Sequence, residues 1–152
     1  MIDKMDKISE SINKVLKAMR RHSVPAYCTL MMIAAHESMG GRYRYQVTKG
    51  GKKGKARGVF QMEKETHDSI WAHSDSIASL SALCGYNQDF ERLEVDDDYA
   101  VFMARCYLLM DANPLPANLE DAAKYCKSYW NRNGKATSDK YLNDYYLYVG
   151  LR

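Results

Sequence analysis

Residues 30–62 read LMMIAAHESMGGRYRYQVTKGGKKGKARGVFQM. The first part is apolar or small nearly all the way round from Tyr27 to Ala35, the pattern of a buried helix rather than an amphipathic surface one. Glu37 continues a stripe through Leu30, Ile33 and Ala34, which lie seven, four and three residues before it. Gly40 and Gly41 are residue types found just past a helix C-terminus. Glu37 is therefore expected in the last turn, where desolvation and the negative end of the helix dipole both disfavour its charge and raise its pKa. A carboxylic acid kept protonated near neutral pH is what a general acid for glycoside cleavage needs. The alternative is a glutamate at a frayed helix end that points into water.

Outward from the helix lies a loop with Tyr43, Tyr45 and seven basic residues: Arg42, Arg44, Lys49, Lys52, Lys53, Lys55 and Arg57. Alternation over residues 42–47 predicts a short strand, and Gly50, Gly51 and Gly54 predict a mobile tip. The charge either draws in an acidic polymer or only keeps the loop solvated. No phosphate-loop pattern is present. The stretch closes on Gly58-Val59-Phe60-Gln61-Met62.

Glu37-Ser38 at the end of an apolar helix, followed about twenty residues on by Gly58-Val59-Phe60-Gln61, resembles the lytic transglycosylases of the lysozyme superfamily. Their first motif is Glu-Ser and their second is Gly-Leu-Met-Gln with an aliphatic residue. Val59, Phe60 and Met62 stand for the Leu, the Met and the aliphatic residue. Their third motif, Ala-Tyr-Asn-Ala-Gly, has its nearest counterpart in Tyr129-Trp130-Asn131-Arg132-Asn133-Gly134. There the family tyrosine falls on Trp130, or on Tyr129 with a register shift, and one residue is inserted before the glycine. The resemblance runs from about Pro25 to Gly150. It implies a mainly α, lysozyme-like α+β domain, with a small hairpin lobe walling a cleft beside a helical lobe. It implies Glu37 as the catalytic acid and base. Ser38, Tyr43, Tyr45, Gly58, Phe60, Gln61, Met62, Tyr129, Trp130 and Asn131 are then the candidate substrate-binding residues.

The implied reaction cuts the bond between N-acetylmuramic acid and N-acetylglucosamine and leaves a 1,6-anhydro sugar. After Glu37 the next acids are Glu63 and Glu65, beyond a loop without any. That spacing fits a single-carboxylate mechanism, since hydrolases normally place a second carboxylate across the scissile bond. Three other readings follow in descending order. One is a phage-type lysozyme hydrolase with Glu63 or Glu65 as base. The next is a non-catalytic wall-binding or virion structural protein, and the last a nucleic-acid binder using Arg42 to Arg57.

Ile2, Met5, Ile8, Ile12, Val15, Leu16 and Met19 recur at helical spacing, so residues 3–21 read as an amphipathic helix added before the lysozyme-like part. It is expected to pack on the domain; the alternative is a virion, secretion-machine or membrane-surface partner. Ser23 and Pro25 start the helix that carries Glu37. Thr66 caps a predicted helix to Leu83, residues 84–94 read as a connection, and residues 96–98 start a buried helix to about Asp111. Asn118 caps a helix to about Tyr129, residues 131–137 turn, and Ser138 starts the last helix. Without repeats or a low-complexity linker, residues 1–152 are expected to form one domain.

A net charge of +3 suits an acidic polymer and is too small to argue nucleic acid by itself. His67, His73 and the His36-Glu37 pair have no metal-ligand spacing, so neither a metal nor a cofactor is expected. Cys28, Cys84, Cys106 and Cys126 form no CxxC pair. They read as buried thiols or as two disulfides, with the apolar surroundings favouring thiols. The charged residues 3–7 give no secretory h-region, and no apolar run is long enough to span a bilayer. The expectation is cytoplasmic synthesis and action in the cell wall, reached through a lesion or on a particle.

Overall fold

The computed structural model describes residues 3–150. Ile2, assigned above to the first apolar stripe, lies outside them. The described chain is mainly helical with one small antiparallel sheet. In order come α1 (Lys4–Ala18), α2 (Val24–Glu37), β1 (Tyr45–Val47), β2 (Lys53–Arg57), α3 (Lys64–His73) and α4 (Ile77–Cys84). Then follow α5 (Arg92–Val95), α6 (Asp97–Leu109), α7 (Leu119–Tyr125), a π-helical turn (Cys126–Trp130) and α8 (Ser138–Tyr148).

The helix starts follow their caps. Ser23 Oγ accepts from Ala26 N at 3.1 Å, Asp96 Oδ1 from Tyr99 N at 3.2 Å, and Asn118 Oδ1 from Asp121 N at 2.8 Å. In α2 the six residues Leu30 to Ala35 are all fully buried, as a stripe without a polar face requires. In α6 every residue from Tyr99 to Cys106 is buried. The two helices lie in one apolar cluster that also takes in α1, α7 and α8.

Helix α1 packs on α6 and α2. Met5, Ile8, Ile12, Val15 and Leu16 are all buried, so its apolar stripe is covered within the chain. Two polar contacts pin it: Lys14 to Asp98 at 2.5 Å, and Ser9 Oγ to the Tyr27 hydroxyl at 2.6 Å.

Several boundaries differ from expectation. The single helix predicted over residues 66–83 is two, because Ser74 is extended at the end of α3 and Ser74 Oγ accepts from Ser76 N at 3.3 Å. Serine side chains compete in this way for backbone groups that a helix would use. Thr66 is not a cap; α3 begins two residues earlier, after Glu63. The end of the connection read over residues 84–94 is helical, α5 running Arg92–Val95. The helix predicted to Tyr129 loosens after Tyr125 into the π turn, where Asn131 N donates to Cys126 O, five residues back, at 2.9 Å. The last helix does start at Ser138, as expected, with Thr137 as its cap, Oγ1 accepting from Lys140 N.

The hairpin is shorter than predicted. β1 covers only Tyr45–Val47 and pairs with β2 through Tyr45 with Arg57 and Val47 with Lys53. Three of its cations are held by acids of α5 and α6 or the turn before α5. Arg44 bonds both Asp97 oxygens at 2.6 and 3.0 Å, Lys53 reaches Glu94 at 2.5 Å, and Arg57 lies 3.6 Å from Glu94 and 3.9 Å from Glu91. At the same seam Gly58 has φ +78°, and a Cβ there would sit 2.6 Å from Leu93 O, so only glycine lets the chain after β2 pack against α5.

All four cysteines are free thiols. Burial pushes Cys106 up to about 12. Among the described residues no helix is long and apolar enough to cross a membrane.

Candidate active site

Helix α2 ends by a local device that sets Glu37. Ser38 Oγ donates to Ala34 O at 2.6 Å and accepts from Gly41 N at 2.8 Å, while Gly40 N donates to Ala35 O at 2.9 Å. Gly40 has φ +71°, and a Cβ there would overlap the Tyr148 ring. The chain therefore leaves the helix sharply, and Glu37 stands in its last turn at the edge of a cleft of about 770 Å3.

The Glu37 carboxyl is largely removed from water, and that desolvation raises its pKa. Two neighbours oppose the rise. His36 acts through its charge, and the Tyr141 hydroxyl donates to Glu37 Oε2 at 2.9 Å. Tyr141 is fully buried on α8, and burial together with the adjacent carboxylate drives its own pKa far above the usual tyrosine range. Its ring lies 4.0 Å, centroid to centroid, from the His36 imidazole. His36 Nδ1 donates to Asp144 Oδ2 at 2.7 Å, and Lys140 Nζ donates to Asp144 Oδ1 at 2.8 Å. Glu37, Tyr141, His36, Asp144 and Lys140 thus form one linked set between α2 and α8.

Gln61, Gln46, Glu63 and Thr66 line the cleft with Glu37; Tyr107, Tyr129, Trp130 and the turn 131–134 complete the lining. Gln61 holds φ +51°, a costly conformation for a non-glycine residue, and its Nε2 donates to Gly58 O at 3.0 Å. The aromatic wall is braced by contacts among its own members and by Phe60. Tyr129 Oη donates to Tyr107 O at 2.7 Å, the Tyr107 and Trp130 rings meet edge-on at 5.3 Å, and buried Phe60 lies 6.3 Å from Trp130. Burial pushes Tyr129 up to about 12, so its hydroxyl stays protonated.

Of the residues singled out in the sequence, Glu37, Gln61, Tyr129, Trp130 and Asn131 come together in this cleft. Six do not line it. Ser38 is buried in the helix stop, Phe60 and Met62 are core, and Gly58 sits against Leu93. Tyr43, in the segment before β1, and Tyr45, on β1, are not in the lining, and each lies under a cation: Arg42 is 5.3 Å from the Tyr43 centroid and Lys53 is 5.0 Å from that of Tyr45. Gln46 takes the hairpin's place in the wall, with Oε1 accepting from Lys55 N and Ala56 N.

Tyr107, Tyr141, Gln46, Thr66 and Arg132 were not legible as site residues. Tyr107 is one more apolar position in a buried helix, and Tyr141 lies 104 residues from its partner. Glu63, the base of the hydrolase alternative, does line the cleft, whereas Glu65 lines only a neighbouring groove beside Phe90. Among the described residues no group of three or more His, Cys, Asp or Glu side chains is placed to hold a metal ion. The chain matches no family model, no curated protein and no solved structure.

Proposed function

We propose that this protein is a peptidoglycan-cleaving lytic transglycosylase with a lysozyme-like fold, acting through Glu37. The observation that carries the proposal is a desolvated carboxyl with a raised pKa, held by Tyr141 at the edge of a cleft walled by aromatic side chains. Desolvation keeps the proton on Glu37 above the usual carboxylate range, so it can serve as general acid. Aromatic faces suit the apolar faces of sugar rings, and Gln61 supplies an amide for an acetamido or hydroxyl group.

In the proposed reaction Glu37 gives its proton to the glycosidic oxygen as the C1–O bond of N-acetylmuramic acid breaks. The 2-acetamido group stabilises the positive charge at C1. The C6 hydroxyl then bonds to C1 and returns its proton to Glu37, so water is not consumed. Tyr141 holds the carboxylate oxygen through both halves.

One observation favours a second reading. Glu63 lines the same cleft as Glu37, and an inverting or retaining hydrolase needs a second carboxylate. Under that reading Glu37 is the acid and Glu63 the base or nucleophile, and the product carries a reducing end.

The test is release of soluble glycan from purified peptidoglycan by the wild type and by Glu37→Gln. Release by the wild type, with at least about a hundredfold loss in the variant, supports the assignment. Full activity in the variant removes it.

A further inference from the structure

The cleft lining holds two carboxyl groups, Glu37 and Glu63, and one cationic side chain, Arg132. Arg132 is exposed, and its side chain makes no hydrogen bond or ion pair with any described residue. Its charge nonetheless reaches the wall, where it lowers the pKa of Tyr129 against the effect of burial. The hairpin offers a different kind of positive charge. Arg44, Lys53 and Arg57 are already matched by Asp97, Glu94 and Glu91, and Arg42, Lys49, Lys52 and Lys55 lie outside the cleft lining. A cation that the fold has not neutralised, inside the proposed substrate cleft, is available to a ligand's anion.

The turn that carries Arg132 is built to hold its position. Lys127 Nζ donates to Asn131 O at 3.1 Å and to Gly134 O at 2.6 Å, clamping both ends, and Gly134 N donates to Asn131 O at 3.2 Å. The Asn131 side chain folds over Gly134, where a Cβ would lie 1.9 Å from Asn131 Oδ1. Arg132 and Asn133 stand at the tip. The guanidinium presents a planar fork of donors that matches a carboxylate.

We infer that Arg132 recognises a carboxylate of the substrate, which sets the cleft's preference for acidic glycan strands bearing carboxylated stem peptides over neutral N-acetylglucosamine polymers. This rests on the reading of the cleft as a glycan-cleaving site. It assigns selectivity to the turn after the π-helical segment rather than to the basic hairpin.

The test measures binding and turnover separately on two substrates: purified peptidoglycan, and the same material with its carboxylates converted to methylamides. Binding is read by co-sedimentation of Glu37→Gln, alone and combined with Arg132→Gln; turnover is read with Glu37 intact. The inference expects Arg132→Gln to weaken binding and kcat/KM by about tenfold on native peptidoglycan and by nothing on the amidated form. Arg132→Lys recovers part of the loss, because it keeps the charge without the fork. Equal losses on both substrates, or none on either, overturn it. Absent turnover with carboxylate-dependent binding would remove the catalytic proposal and leave Arg132 in its role. Turnover indifferent to Arg132 would do the reverse.

Discussion

Tyr141 Oη donates to Glu37 Oε2 at 2.9 Å, joining the last helix to the end of the second across 104 residues of chain. The bond stabilises the ionised carboxylate, so it works against the desolvation that raises the Glu37 pKa. In Tyr141→Phe that opposition is gone. The pH above which activity falls moves upward, and kcat drops by up to about a hundredfold as the carboxyl loses its fixed position. A pH–rate profile of the variant checks both. An unmoved basic limb would separate Tyr141 from the proton on Glu37.

Glu37 also makes stability depend on pH. Its folded pKa is raised above the unfolded value, so its contribution is fully present below the unfolded pKa and is lost as pH rises through the folded one. Glu37→Gln removes a group that becomes a buried charge. Its melting temperature relative to wild type should therefore increase between acid and neutral pH. A constant gap across that range would contradict a desolvated Glu37.

Glu63 separates the two glycosidase readings. As a bystander in the transglycosylase it tolerates Glu63→Gln with less than about a threefold change in kcat, whereas a hydrolytic base costs about a hundredfold or more. Initial rates on peptidoglycan decide between them, with the thermal melt of the variant as the control for folding.

A second buried network stands apart from the cleft and braces α3 against α6. The Tyr99 hydroxyl accepts from Trp71 Nε1 at 3.1 Å and from Asp89 N at 3.1 Å, which uses both its lone pairs. Its one proton therefore goes to His67 Nε2, 2.7 Å away, and His67 Nδ1–H donates to Asp68 Oδ1 at 2.9 Å. His67 is thus held neutral, and burial lowers its pKa. This depressed value means that its contribution is present above the unfolded pKa and is lost as pH falls through the folded one. Tyr99→Phe leaves three groups without their partner and should cost about 1–3 kcal/mol. Denaturant unfolding checks the cost, and nitrogen NMR of the imidazole checks the tautomer.

Local chemistry made much of the helical frame readable. Ser23, Asp96 and Asn118 cap as their residue types predict, and the unbroken apolar face of residues 27–35 does mark a buried helix. The break at Ser74–Ser76 and the π turn after Tyr125 depend on small differences in backbone bonding that a periodic pattern does not register. In the cleft, Glu37 and Gln61 could be read from short motifs. Tyr141 and Tyr107 could not, because their place comes from packing between elements distant in sequence. Tyr43 and Tyr45 misled for a related reason. Aromatic residues beside a cleft motif suggest stacking on sugar, but nearby Arg42 and Lys53 engage those rings.

The most direct measurement is mass spectrometry of the soluble products formed from purified peptidoglycan in 18O-labelled water, with Glu37→Gln alongside. Products ending in 1,6-anhydro-N-acetylmuramic acid are expected, one water lighter than hydrolytic products and free of label, and none from the variant. Labelled reducing ends would contradict the transglycosylase reading and pass the second carboxylate's role to Glu63.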